Sequence, residues 1–436
     1  MFHAKSVFYA KSAGWKLMTG IWLFVMMALP DTSFKIKIGM LLLLVCHALY
    51  RGGLCFPRRF LFTVIVWEVL FGLFYLNALA SQFAFSVTLA EIYLLRPFFL
   101  LILCSYSGTE EMMRTIRQQL LCITMFIEGY NLILILQAFD VMPVLIREQS
   151  SAALTIVNSN FLTIRSANQT ALIFLIPYVM ELFFHREVFG KKEKRLITVL
   201  CFLGLFVAVL SGRRILQILS MMVFLTGWIR SLKRRVTAGR FVRGMAALLI
   251  AGSVVAFFAV MFWNEFQMNV FSLIQKTIHE AFDQSGGGWQ LRYRQIQLLV
   301  RDWLKRPFWG WGLSAYDADY YVYKFSRFGV PATQDLWSFE FFYIALLFQT
   351  GLAGVTFAGV LIYRVIKKIV LFLISCTDGQ MAAGIRALLC GAAAFFIAGF
   401  TNPMITSIWF WYLLLGTYVF TLTASSAPVL KQERII

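Results

Sequence analysis

Phe60 to Ala80 reads FLFTVIVWEVLFGLFYLNALA, an apolar run whose one charge is Glu68. At 1.5 Å per residue a helix of this length covers about 30 Å, the thickness of the hydrocarbon layer of a bilayer. Its apolar residues are continuous rather than alternating, which selects a membrane helix over a barrel strand. Comparable runs recur along the chain, at Trp15–Pro30, Ile36–Tyr50, Phe60–Ala80, Phe83–Tyr106, Gln119–Phe139, Gln169–His185, Leu196–Ser211, Ile215–Ile229, Gly244–Trp263, Leu352–Ile366, Met381–Thr401 and Met404–Thr423. With 60% of 436 residues hydrophobic and 14% charged, the expected fold class is an all-α polytopic membrane protein with about 12 transmembrane helices.

The distribution of charge sets the expected orientation. With the N-terminus inside, 24 of the 40 Lys and Arg residues fall in inner segments, as the positive-inside rule requires, and both termini are cytoplasmic. Topology thus accounts for most of the formal charge of +19, and no nucleic-acid partner is expected. The first apolar run lacks a small-residue cleavage site, so no cleavable signal peptide is read. All seven cysteines fall in expected spans or inner loops, away from any extracytoplasmic disulfide.

One outer segment is long, Asn264 to Trp337. It carries Lys276, Arg292, Arg294, Arg301, Lys305, Arg306, Lys324 and Arg327 on the side where basic residues are disfavoured. That excess calls for an anionic partner, with lipid headgroups as the bland alternative. Inside it, WQLRYRQIQLLVRDWLKRP has Trp289, Tyr293, Ile296, Val300 and Trp303 at helical spacing and Arg294, Gln297, Arg301 and Lys305 on a second stripe. An amphipathic helix along the membrane surface follows, stopped by Pro307 and turned by Gly310 to Gly312. The chain divides into residues 1–263 with nine spans, the loop region 264–351, and 352–436 with three spans and the C-terminus.

Four stretches resemble the O-antigen polymerase and O-antigen ligase superfamily. Arg292 is followed fifteen positions later by Pro307 and then by Gly310 and Gly312, as in the long loop of that family. LSGRRILQILSMMVFL resembles its TGSRG element at the outer end of a helix, with Arg214 on the family's arginine. NQTAL at Asn168–Leu172 resembles its N-x-x-A start of an earlier span. In SFEFFYIALLFQTGLAG, Ser338–Gly354, Glu340 stands eleven residues before the Gly-x-x-Gly at Gly351, where family members, especially the ligases, carry the histidine of HN-x-x-L. Phe341 replaces their Asn.

The resemblance covers roughly Asn168 to the C-terminus. It implies a GT-C-like glycosyltransferase bundle in the bacterial inner membrane with its active site facing the periplasm. The implied donor is a glycan on undecaprenyl diphosphate, and transfer is metal-independent with no cofactor. A ligase attaches finished glycan to lipid A core. The missing histidine favours instead a polymerase whose donor and acceptor are both lipid-linked repeat units, with a flippase and a chain-length regulator of the same pathway as further partners.

The residues suggest the same chemistry. Breaking a sugar C1–diphosphate bond develops charge on the leaving phosphate, which guanidinium forks stabilise. Arg214 and Arg292 are the catalytic candidates for this, with Arg213 and Arg294 as further diphosphate-binding residues. Glu340 is the candidate base for the acceptor hydroxyl. The bland alternatives are a snorkelling interfacial pair for Arg213 and Arg214, a solvated helix face for Arg292, and a carboxylate favoured at a helix start for Glu340. Asp317 and Asp319 form a D-x-D that would suit a divalent ion, and is more often a polar turn. His279 is the alternative base. Glu68, Glu91, Arg96, Glu128 and Glu181, in or near spans, keep open a transporter of a lipid-linked or acidic substrate. No duplicated halves support it. A non-catalytic scaffold leaves the spaced Arg, Arg and Glu unexplained.

Overall fold

The computed structural model describes residues 13–29, 34–51, 54, 56–84, 86–138, 142–146, 155–156, 162–163, 168–210, 214–233, 287–322, 339, 341–400 and 403–432. Twelve helices organise them: α1 Ala13–Ala28, α2 Phe34–Arg51, α3 Arg58–Ala80, α4 Val87–Cys104, α5 Glu110–Ala138, α6 Gln169–Phe184, α7 Lys191–Leu210, α8 Arg214–Lys233, α9 Gly287–Trp303, α10 Phe342–Ser375, α11 Gly379–Ala398 and α12 Ile408–Gln432. Among the described residues the one β element is a short antiparallel pairing of Thr155–Ile156 with Leu162–Thr163. Every expected span except the ninth, 244–263, overlaps one of these helices, with ends that differ by up to about five residues at most boundaries. The tenth starts later, at Leu352, than α10 does, and the ninth lies outside the described residues.

Five of the helices, α3, α4, α5, α11 and α12, are long and apolar enough to cross a membrane, and shorter apolar helices run Gly14–Ala28, Thr170–Phe184 and Ile215–Arg230. This is the architecture of a polytopic membrane protein. Helix α3 shows why. It turns Phe60, Val64, Phe71, Phe74 and Ala78 inward, yet Phe62, Ile65, Val69, Leu73 and Leu76 are half or more exposed on its other side. Leaving such side chains in water forgoes roughly 1.5–3 kcal/mol for each, whereas hydrocarbon exacts no such penalty.

Helix ends are set by recognisable residues. Ser86 accepts the Leu89 N–H at the start of α4, and Asp378 Oδ1 accepts those of Gln380 (2.8 Å) and Met381 (3.2 Å) at the start of α11. Residues Glu91–Leu95 of α4 are π-helical.

Tertiary contacts sort the connections into two groups. At one end Tyr106 Oη donates to Ala48 O (2.9 Å), Arg114 pairs with Asp378 (3.1 Å), Arg117 with Glu193 (2.9 Å), and Thr423 Oγ1 reaches Gly108 O (2.8 Å). At the other, Asn131 donates to Asn168 (2.9 Å), Arg306 to Ser81 Oγ (2.8 Å) and Tyr343 Oη to Phe396 O (2.8 Å). Each contact joins segments that the charge distribution assigns to the same side. Helix α9 belongs to the second end.

Charges within the spans act largely as staples. Arg96 makes a two-pronged pair with Glu91 (2.7 Å each) and also donates to Thr406 O, tying α4 to the turn before α12. Glu181 of α6 accepts from Arg230 of α8 at 2.6 and 3.1 Å. Glu128 is fully buried, and its carboxylate oxygens have no hydrogen-bond partner among the described residues.

Candidate active site

The loop after α9 is fastened to α10 chiefly by backbone hydrogen bonds, with Gln349 Nε2 donating to Ala315 O (3.2 Å) besides. α10 breaks at Gly351, whose φ of 63° and ψ of −169° interrupt the helical ladder. The break leaves carbonyls before it and N–H groups after it without helical partners, and the loop supplies them. Trp311 N donates to Phe348 O (3.1 Å) and Gly312 N to Gln349 O (2.7 Å), while Leu352 N donates to Pro307 O (2.9 Å) and Ala353 N to Phe308 O (3.0 Å). Backbones this close leave no room for side chains. A Cβ on Gly351 would lie 2.3 Å from Phe308 O, and one on Gly312 2.3 Å from the Ala78 backbone of α3. The Pro, Gly-x-Gly and Gly-x-x-Gly motifs are therefore two halves of one clasp. α10 begins at Phe342, before the clasp, rather than at Leu352; Gly351 reads in sequence as a helix boundary because glycine interrupts the pattern there.

Helix α9 is amphipathic, but its buried face differs from the expected stripe. Among the described side chains of α9, from Tyr293 on, Gln295, Leu298 and Leu299 are the buried ones, and the two leucines pack in a cluster with Phe339, Ala345 and Phe348. Tyr293, on the expected apolar stripe, is 52% exposed. The helix has apolar residues on more than one side, and docking against α10 chooses among them. Position 292 lies one helical turn before Gln295 and two before Leu299, on the flank of this docked face. Arg294 is exposed.

Three loop cations are engaged with protein groups. Arg301 pairs with Asp302 (3.0 Å), Asp317 (3.3 Å) and Asp319 (3.0 Å), and Lys305 with Asp302 (2.6 Å). Arg306 lies 4.1 Å over the Trp311 ring. The D-x-D thus faces an arginine. Among the described residues no group of three His, Cys, Asp or Glu side chains is placed to hold a metal.

Burial pushes the Asp317 carboxyl up to about 6, helped by a hydrogen bond shared with Asp302, against the Tyr320 N–H and Arg301. Asp302 is held well below the usual carboxylate range. Its partial burial acts the other way, but the hydrogen bonds from Asp317, Arg301 and Lys305 prevail. The signs are opposite. Asp317, raised in the folded state, favours folding more at low pH and loses that contribution as pH rises toward about 6; Asp302 favours folding above its ordinary value and loses that contribution as pH falls. Asp317→Asn is therefore expected to raise the melting temperature at about pH 7 and flatten the rise seen on going to about pH 5. Arg301→Ala, which takes the paired cation from Asp317 and Asp319 and leaves Asp302 with Lys305, is expected to lower stability by on the order of 1–2 kcal/mol. Thermal unfolding of both variants across that pH range measures this.

At the same end, Asn168 begins α6 and Arg214 begins α8. The Glu181–Arg230 pair ties these two helices near their far ends, so equal rises bring Asn168 and Arg214 back to within about one turn of the same level. Asn168 is buried against Asn131. Glu340, Arg213, Lys276, His279, Lys324 and Arg327, and the side chains of Arg214 and Arg292, lie outside the described residues. Glu340 is flanked by Phe339, buried against α9, and by Phe341 at the start of α10.

Residues 199–359, from within α7 to within α10, match the family model described as O-antigen ligase. The match supports assignment to the O-antigen ligase and polymerase superfamily. It spans Arg214, Arg292, the whole clasp and Glu340, and points to a glycosyltransferase-like membrane enzyme in O-antigen processing. No curated protein matches the chain.

Sequence reasoning passed over two polar groups at this end. Gln295 is fully buried with both amide atoms unpartnered, one turn from Arg292, and a glutamine within an amphipathic stretch carries no signal by itself. Asn131 reads as an ordinary polar residue near a span end until Asn168 is placed beside it.

Proposed function

We propose that the chain is a polymerase joining oligosaccharide repeat units carried on undecaprenyl diphosphate into a surface polysaccharide, at the periplasmic face of the bacterial inner membrane. The observation that carries this reading is the family match over a region whose clasp ties the Arg292 helix to the helix that starts just beyond Glu340, at the end of the bundle where Arg214 also begins its helix. About twelve crossings, with α9 and its loop in the periplasm, belong to the same proposal.

In the reaction, Glu340 takes the proton from the acceptor hydroxyl as its oxygen attacks C1 of the donor sugar. The C1–oxygen bond to the diphosphate breaks, and the bonding pair leaves with that phosphate oxygen. Arg214 and Arg292, with Arg213 and Arg294 beside them, stabilise the departing diphosphate. Arg292→Ala and Arg214→Ala are expected to weaken donor binding and to lower turnover, because a diphosphate contact exists in the ground state and strengthens as charge develops. Assays of purified protein with lipid-linked repeat units, in parallel with donor-binding measurements, test this; a variant that polymerises and binds as wild type removes that arginine from the site.

Ligase activity toward a lipid A core is the second reading, favoured by the description of the matching family. Supplying both acceptors to the purified enzyme separates the two. Orientation has its own check: Gly287→Cys should label with an impermeant thiol reagent from the periplasmic side, and Gly239→Cys should not. The reverse pattern would remove the proposed active-site face.

A further inference from the structure

At the end of the bundle opposite α9, a group of cations has no acidic counterpart among the described residues. Arg58 and Arg59 open α3, and Arg364, Lys367 and Lys368 lie along the far half of α10; all five are exposed or half-exposed. The two sets are some three hundred positions apart in sequence, yet they converge. Both meet the same stretch of α12: the Phe60 ring of α3 packs on Tyr418, 6.4 Å between centroids, and the Phe372 ring of α10, one turn beyond Lys368, packs on Phe420, 5.5 Å between centroids. Several other basic residues at this end are matched: Lys16 by Glu111, Arg114 by Glu110 and Asp378, Arg117 by Glu193, and Lys194 by Glu187. Among the described residues no carboxylate forms an ion pair with any of the five.

The local backbone adds to the positive field. No side chain caps α3, whose N-cap is Pro57, so the first N–H groups and the positive end of the helix dipole face the same place as Arg58 and Arg59. Beside it, α3 exposes an apolar stripe and α10 exposes Tyr363, Val370, Leu371 and Ile374. An anion seated among these cations would carry its apolar part along hydrocarbon-facing helices. A phospholipid headgroup with attached acyl chains meets both conditions, whereas a soluble anion meets only the first.

We infer that the corner between the start of α3 and the far half of α10, floored by Tyr418, binds the headgroup of an anionic phospholipid of the leaflet opposite α9. The site is independent of the proposed transfer reaction. It places a lipid contact on the far part of the same helix whose near part is clasped at Gly351.

The test uses the full chain in phosphatidylcholine nanodiscs, with a fluorescent phosphatidylglycerol as the probe and a fluorescent phosphatidylcholine as its control. The expected result is preferential binding of phosphatidylglycerol, weakened about fivefold by Arg59→Gln or Arg364→Gln alone and about 100-fold by Arg59→Gln, Arg364→Gln and Lys367→Gln together. Lys191→Gln with Lys192→Gln, exposed cations elsewhere at this end, should leave binding unchanged. The single variants decide the matter if the triple variant fails to fold. Equal binding of the two lipids would overturn the inference. So would an equal loss on changing Lys191 and Lys192, which would mean diffuse surface charge, or ready displacement by inorganic phosphate, which would mean a site for free anions.

Discussion

Glu340→Gln is expected to cut glycosyl transfer by on the order of 10²-fold or more while leaving donor binding nearly unchanged. Glutamine keeps the shape of the side chain but cannot accept the acceptor's proton, and loss of a positioned general base carries a penalty of this size. Glu340→His is the informative companion, since it installs the histidine that the family resemblance places at this position and is expected to keep part of the activity. The measurement is polymer formed per unit time by properly inserted, purified protein, alongside equilibrium binding of the lipid-linked donor. Wild-type turnover by Glu340→Gln would reduce this carboxylate to a residue near a helix start and move the search for the base to His279 and the loop aspartates.

Gly351→Ala should abolish transfer by a different route, through loss of the clasp. The residue has φ 63° and ψ −169°, a region that is essentially glycine-only and costs a side chain of the order of 1–3 kcal/mol. The added methyl would also sit 2.3 Å from Phe308 O and 2.6 Å from Gly310 N. Those are backbone atoms of the paired loop, so relief requires breaking the hydrogen bonds that hold α9 to α10. A graded series isolates the cause. Gly354→Ala meets the Thr350 Cβ and Oγ1 at 2.2 Å, a clash within α10 itself, and should destabilise the helix without prying the loop from it. Gly359→Ala meets nothing within 4 Å and should be neutral or slightly stabilising, as alanine is in a helix interior. Thermal unfolding and protease sensitivity of the 303–312 segment report the clasp directly. Normal stability and turnover in Gly351→Ala would show that the clasp is dispensable.

What the sequence determined by itself is the membrane-helix character of the chain and the spacing of the backbone motifs that meet in the clasp. Runs such as Phe60–Ala80 are readable because transfer into hydrocarbon is nearly additive over residues, so a local sum decides it. The spacing of Pro307, Gly310, Gly312 and Gly351 is also legible, since each marks a backbone requirement tied to its own residue type. The partners of those residues were not. Only the tertiary structure decided that Gly351 breaks a longer helix and that the Pro307–Gly312 loop fills the break. It also decided that α9 turns Gln295, Leu298 and Leu299 inward, and that Asp317 and Asp319 answer Arg301. Each of these is a pairwise choice between groups distant in sequence or among several apolar faces of one helix. Hydropathy and spacing leave such alternatives nearly equal in energy, and close packing against a particular neighbour separates them.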